Sequence, residues 1–341
     1  GAGNSGDYKK LKGQMIQVTD TDPVVYAGSW STGGNMNTAG YMFGGNGTQT
    51  AALASGGVRP GLNATISEEY DGSSWTEGND LNTGRYGNRN SGTQTAALSI
   101  SGKTYPPGAS LANVESYNGT SYTEVNDVNT GRINAAAFGT STASFFVGGD
   151  AQPASHQTKV ESWNGTSWTE TTDINTARNG VGGDGTTANA IIAGGSNAND
   201  TEGIGNTEQW NGSSWTEVGD LNQVRYFNDV VGVYNSAIAI GGVDAPSPGK
   251  LANTESWDNS SWTEVNDLST ARRQAGAGGS ATLGIFFGGE APNSNATEEW
   301  SFPSAPAVQE GQVWIKTATG ANSVMKGYGA QGTGSWASGG A

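Results

Sequence analysis

The chain has 341 residues, 55 of them Gly, and a formal net charge of −15 with 16 Lys and Arg. That balance excludes a basic face for nucleic acid, and no window approaches the roughly 18 uninterrupted apolar residues of a membrane-spanning helix. The absence of Cys removes disulfides and thiolate metal sites while leaving the compartment open.

Residues 1–23 carry Tyr8-Lys-Lys-Leu-Lys12 and Met15-Ile-Gln-Val18 and belong to no repeat. A chain that opens Gly-Ala-Gly without Met fits a processed product or a piece of a longer polypeptide. From about residue 24 to 302 one unit recurs: an aromatic, an Asn/Asp-Gly turn, a second aromatic, Thr-Glu, an Asp and an Arg. The second aromatics Trp75, Tyr122, Trp168, Trp215 and Trp262 fall 46 or 47 residues apart, each followed by Arg85, Arg132, Arg178, Arg225 and Arg272. Partial copies sit at the ends, Trp30 with Gly40 in the Arg position and Glu299-Trp300 with no second aromatic behind it.

Each unit also holds a short apolar run closed by Gly-Gly, such as Ala143 to Gly149 and Ala237 to Gly242, preceded by a run of small residues such as Ala135 to Phe138 or Ala275 to Gly278. The apolar runs are too short for helices and read as strands covered on both faces. The small-residue runs predict innermost strands, crowded where modules converge. The Asn-Gly or Asp-Gly between the aromatics predicts a hairpin, because Gly supplies positive φ without steric cost. Four strands per unit cannot hide their sheet face alone, so the units must pack around an axis.

Six Gly-Gly-type strand ends, near Gly56-Gly57, Ser101-Gly102, Gly148-Gly149, Gly194-Gly195, Gly241-Gly242 and Gly288-Gly289, give six blades. The expected fold is therefore all-β, a six-bladed propeller of four-stranded antiparallel blades. The last blade lacks its outer strand, which residues around Val24 to Trp30 would supply, closing the ring. The order Gly-Gly, aromatic, Trp, Arg resembles the kelch or galactose-oxidase-type repeat. The hairpin is similar to the Asp-box of sialidase propellers, with the acidic or amide residue displaced to just before Gly. Residues 303–341 follow as a second non-repeat flank with a hairpin expected from Gln312-Val-Trp-Ile315 and Val324-Met-Lys-Gly-Tyr328.

The Arg series is expected to ring the channel mouth as scaffold, each Arg paired with the Asp five residues upstream (Asp80, Asp127, Asp173, Asp220, Asp267). The alternative is an anion or sugar-carboxylate site, which Gly40 would interrupt. The Glu before each first aromatic (Glu69, Glu115, Glu161, Glu208, Glu255, Glu299) with Trp and Arg resembles the sugar sites of six-bladed fucose-type lectins. Repetition in every blade favours a core role for Trp75, Trp168, Trp215 and Trp262 instead. Recognition, if any, is expected on the dissimilar loops after Gly-Gly, with Arg59, Lys103, Tyr105, His156 and Lys250 as candidate ligand-binding residues.

Copper oxidase chemistry of the resembled family needs copper held by His and Tyr with a Cys cross-link, and the chain has one His, His156, and no Cys. The expectation is no catalytic residue, no cofactor and no metal. The near-identical Trp-Asn-Gly-Thr-Ser-Trp-Thr-Glu copies and the Glu-Gly-Gln-Val-Trp tail resemble repeat segments of tailed-phage virion proteins, especially marine ones. That resemblance implies a non-enzymatic tail-fibre or capsid-decoration module on the virion exterior. Its partners would be other virion proteins bound through the termini, and host-surface glycans. A carbohydrate-binding lectin is the second reading and a propeller hydrolase the third.

Overall fold

The computed structural model describes residues 28–302, apart from 61–64, 105–107, 109, 152–154, 197–201, 245–248 and 292, together with the backbone of strands 313–316 and 324–327. Residues 28–302 form a compact unit of six four-stranded antiparallel sheets arranged as a propeller. The first blade shows the plan. Its strands Gly44–Thr48, Ala51–Ser55, Ser67–Tyr70 and Trp75–Glu77 run from the axis outward in chain order. The innermost strands of the six blades contact one another in a closed circle. In the flanks, Val313–Lys316 pairs with Val324–Gly327, Val313 opposite Gly327. The segment 1–23 lies outside the described residues.

Closure follows from an order of strands that the repeats cannot reach by themselves. Ser29–Thr32 supplies the outer strand of the last blade, with Trp30 opposite Trp300 as Trp75 lies opposite Tyr70 in the first. A Cβ on Gly28 would lie 2.1 Å from the Trp300 ring, so only Gly lets the chain enter here.

The hairpin turns behave as their composition predicts. Gly72, Gly119, Gly165 and Gly212 have φ between 86° and 94°, and in the one copy without Gly, Asn259 takes φ 76°. Each preceding Asp or Asn accepts two backbone N–H groups, as Asp71 does from Ser73 and Ser74 at 2.8 Å. These bonds hold the Asp71 carboxyl down at about 2, below its ordinary value.

The aromatics fill the widening space between blades. Trp75, Trp168, Trp215 and Trp262 are buried. In three blades the indole N–H of the second aromatic reaches the Thr that opens the third strand of the preceding blade: Trp75 to Thr297, Trp262 to Thr207 and Trp30 to Thr254, at 2.9–3.0 Å. Where Val114 and Val160 stand at that position, Trp168 and Trp215 leave a buried Nε1 without an acceptor among the described residues. Val160→Thr should raise stability by about 1 kcal/mol, the net worth of one hydrogen bond gained by a buried donor. A denaturant midpoint at or below the parent's would mean that the valine methyl outweighs that bond.

A second closed circle surrounds the axis where the connections enter the inner strands. Met42 donates its backbone N–H to Gln274 O, Gly87 to Met42 O, Asn134 to Gly87 O, Gly180 to Asn134 O, Phe227 to Gly180 O and Gln274 to Phe227 O, at 2.7–3.0 Å. All six residues have φ between 53° and 67°, including four that are not Gly. Such a conformation costs an L-residue roughly 1–2 kcal/mol and persists where surrounding structure enforces it. Here every blade holds its neighbour through one peptide group.

Candidate functional site

The repeated Arg was expected to pair with the Asp upstream; its partner is a Glu in the blade it enters. Arg85, Arg132, Arg225 and Arg272 pair with Glu115, Glu161, Glu255 and Glu298 at 2.6–3.0 Å, and Arg178 with Glu208, all essentially fully buried. Asp80 and Asp173 instead accept from the Thr65 and Thr158 hydroxyls. The Glu register also needs correcting at both ends. Glu68 and Glu298 occupy the pairing position, whereas Glu69 and Glu299 accept from the hydroxyls of Tyr117 and Tyr70 in neighbouring blades.

Each ion pair also ties down the connection into its blade. Glu255 accepts Asn222 N, Asn222 Nδ2 and Gln223 N, while Arg225 donates to the carbonyls of Gln223, Gly241 and Asn253. Burial lowers every one of these guanidinium pKa values and the paired Glu opposes that shift. For Arg132 the balance falls at about 10.

Gly40 does not break the circle. Arg59, expected on a ligand-binding loop, is buried and places its Cγ 2.9 Å from where a Gly40 Cβ would be. From there Nη1 reaches Glu68 at 2.8 Å and Thr38 O at 3.0 Å, while Nε donates to Gly56 O. Thr38 and Gly56 are the first-blade counterparts of Thr83 and Ser101, whose carbonyls Arg85 engages. A side chain from a different connection thus completes a sixth pair.

The remaining loop candidates stay dispersed over separate blades. Lys103 forms bridges with Tyr86 and Ser110. His156 lies opposite Asp150 in a two-residue ladder. Lys250 lies 3.6 Å from Glu290, which Arg273 also holds at 2.7 Å. Tyr105 lies outside the described residues. The repeated Arg, their paired Glu and the Trp75, Trp168, Trp215 and Trp262 rings are buried, so the sugar site implied by that trio is not presented on the surface. Among the described residues no group of three or more His, Asp or Glu could hold a metal ion.

A concave space lies on the propeller axis. A cavity of about 240 Å³ is lined by the inner strands of all six blades, mostly Gly, Ala and Val. Three charged residues interrupt that lining, Arg89, Asp184 and Asp229. The Asp184 carboxylate accepts Gly185 N at 2.7 Å and, from the next blade, Gly232 N at 2.8 Å. Burial pushes Asp184 up to about 7, against the opposing pull of those two N–H donors. Asp229 is raised by the same desolvation, opposed by the charge of Arg89. Arg89 donates Nε to Ala135 O at 2.8 Å.

Neither protein-family models nor curated proteins give a match to this chain.

These three residues do not recur from blade to blade, so the repeat pattern does not mark them. Aligned on the Gly that ends each inner strand, the position of Arg89 and Asp229 reads Gly44, Arg89, Ala136, Gly182, Asp229, Gly276. Two charges among four small residues was the available signal.

Because Asp184 binds its proton more tightly folded than unfolded, its contribution is complete below the ordinary carboxylate pKa and is lost as pH rises through about 7. Asp229 acts in the same direction, and Arg89 is the opposing charge. The melting temperature should therefore fall as pH rises from about 5 to about 7 and level off above that, and Asp184→Asn should flatten most of that slope. An unchanged slope would assign the titration elsewhere.

Proposed function

We propose that this chain is a non-enzymatic structural and adhesion module of a virion exterior, a kelch-like propeller attached through its flanks and recognising targets through its variable loops. The observation that carries the reading is the fate of the repeated charges. All six Arg and their Glu partners are consumed inside the scaffold, so the residues common to the blades hold the blades together. Chemical variety is left to the loops after Gly-Gly, in keeping with recognition on loops held by a rigid frame. The virion context rests on the resemblance of the hairpin copies and of Glu310 to Trp314 to tailed-phage proteins. The net charge of −15 disfavours attachment to nucleic acid or anionic membrane.

Quantitative mass spectrometry of purified particles from the source tests the assignment. Peptides of this chain at a fixed copy number per particle, lost on deletion of residues 303–341, support it. Absence from particles, or glycan-array binding by a soluble monomer that survives exchange of every loop, overturns it.

A further inference from the structure

The axial cavity contains charges that the scaffold does not use. Arg89 is 8% exposed, and among the described residues no carboxylate lies within ion-pair distance of it. Its Nε is tethered to Ala135 O, which fixes the guanidinium against the cavity wall. Every repeated Arg, by contrast, has a carboxylate in contact. Burying a cation without a contacting counter-ion is costly. A scaffold alone had Gly or Ala available at this position, as four of the six blades show.

The carboxylates mirror this. Arg89 belongs to the second blade and Asp229 to the fifth, which stand on opposite sides of a six-membered ring. Arg89 acts on Asp229 through its charge without touching it. Asp184, in the fourth blade, lies two positions further along the inner strand, towards the turns. Among the described residues its oxygens accept only backbone N–H groups, and no cation there neutralises it in contact. Above the raised pKa values of Asp184 and Asp229, the cavity thus has a fixed positive group on one wall and two negative groups on the other. Between them lie about 240 Å³ lined largely by Gly, Ala and Val.

We propose that the axial channel binds a small zwitterion of the α-amino-acid class, with its carboxylate on Arg89 and its ammonium on Asp229 and Asp184. A carboxylate suits the planar guanidinium, and an ammonium satisfies acceptors that backbone donors leave with free lone pairs. A simple anion would leave the two carboxylates uncompensated, and a simple cation would face Arg89. The bound molecule would be held at both ends, within a volume fitting a small side chain.

The test is isothermal titration calorimetry on the full chain with glycine, alanine and serine, compared with acetate, methylammonium and calcium chloride. The expected result is binding of at least one amino acid, with acetate and methylammonium each weaker by roughly tenfold or more, about 1.4 kcal/mol. Arg89→Gln and Asp229→Asn should each weaken that amino acid by a similar factor, with circular dichroism reporting an intact fold. If either variant fails to fold, the ligand comparison on the unaltered protein still decides. Absence of amino-acid binding at millimolar concentration overturns the proposal. So does equal binding of acetate or methylammonium, preferential binding of calcium, or amino-acid binding that folded Arg89→Gln and Asp229→Asn both retain.

Discussion

Arg225→Met will destabilise the propeller by about 3–5 kcal/mol, the loss expected when one partner of a buried ion pair is removed and its counter-charge stays buried. The substitution keeps side-chain bulk, so the effect is electrostatic rather than a cavity. It removes the 2.7 Å contact with Glu255 and the donors to the Gln223, Gly241 and Asn253 carbonyls. Glu255 then keeps the Asn222 and Gln223 donors and loses its cation. The double variant Arg225→Met, Glu255→Leu should recover a large part of the loss, because buried pairs replaced together by apolar residues are often near neutral. Urea unfolding of the four proteins of this cycle measures the coupling. A single variant within about 1 kcal/mol of the parent would show that the pair contributes little beyond one hydrogen bond.

The same reasoning distinguishes Arg59 from a loop residue. Its Cγ occupies the space of the missing Gly40 side chain, so it serves the first blade as Arg225 serves the fifth. Replacing it should damage stability in proportion, whatever the protein binds.

What could be read in the sequence was what depends on neighbours close in the chain. The hairpins were legible because Gly72, Gly119, Gly165 and Gly212 mark their own positive φ. The blade count was legible because every unit ends its second strand with the same kind of turn. The Arg partners were not. Arg85 meets Glu115 across 30 residues, and nearness along the chain offered Asp80 instead. Arg59 was harder still, since its role depends on a vacancy at Gly40 that only the fold brings beside it. Arg89 and Asp229 were legible in principle, as departures from the small residues at their position of the inner strand. Their meaning required knowing that the second and fifth blades face each other.

Deleting residues 1–32 should be the most damaging change outside the core, because it removes the strand that closes the ring. The last blade would keep three strands and present Thr297–Ser301 as an open edge with unpaired N–H and C=O groups, a template for association. It would also lose Trp30, whose ring lies 5.3 Å from Trp300 and whose N–H bonds Thr254 in the preceding blade at 3.0 Å. Asn266, which donates to Gly28 O at 2.9 Å, would lose that acceptor. The closing strand pairs Ser29 with Ser301, 272 residues further along the chain, and closing a flexible loop of that length costs about 5 kcal/mol, growing with the logarithm of length. Most of that ordering is already supplied by the contacts that run from blade to blade, so the strand docks onto a nearly complete ring. The expected result is a fall in melting temperature together with concentration-dependent association in light scattering. Trp30→Ala separates packing from edge protection. It keeps the backbone ladder and should lower stability by about 3 kcal/mol, the low end for a large aromatic, without promoting association. If the deletion variant melts like the parent and elutes as the same species, the ring is held by its inter-blade contacts alone and the N-terminal strand is an ornament of the last blade.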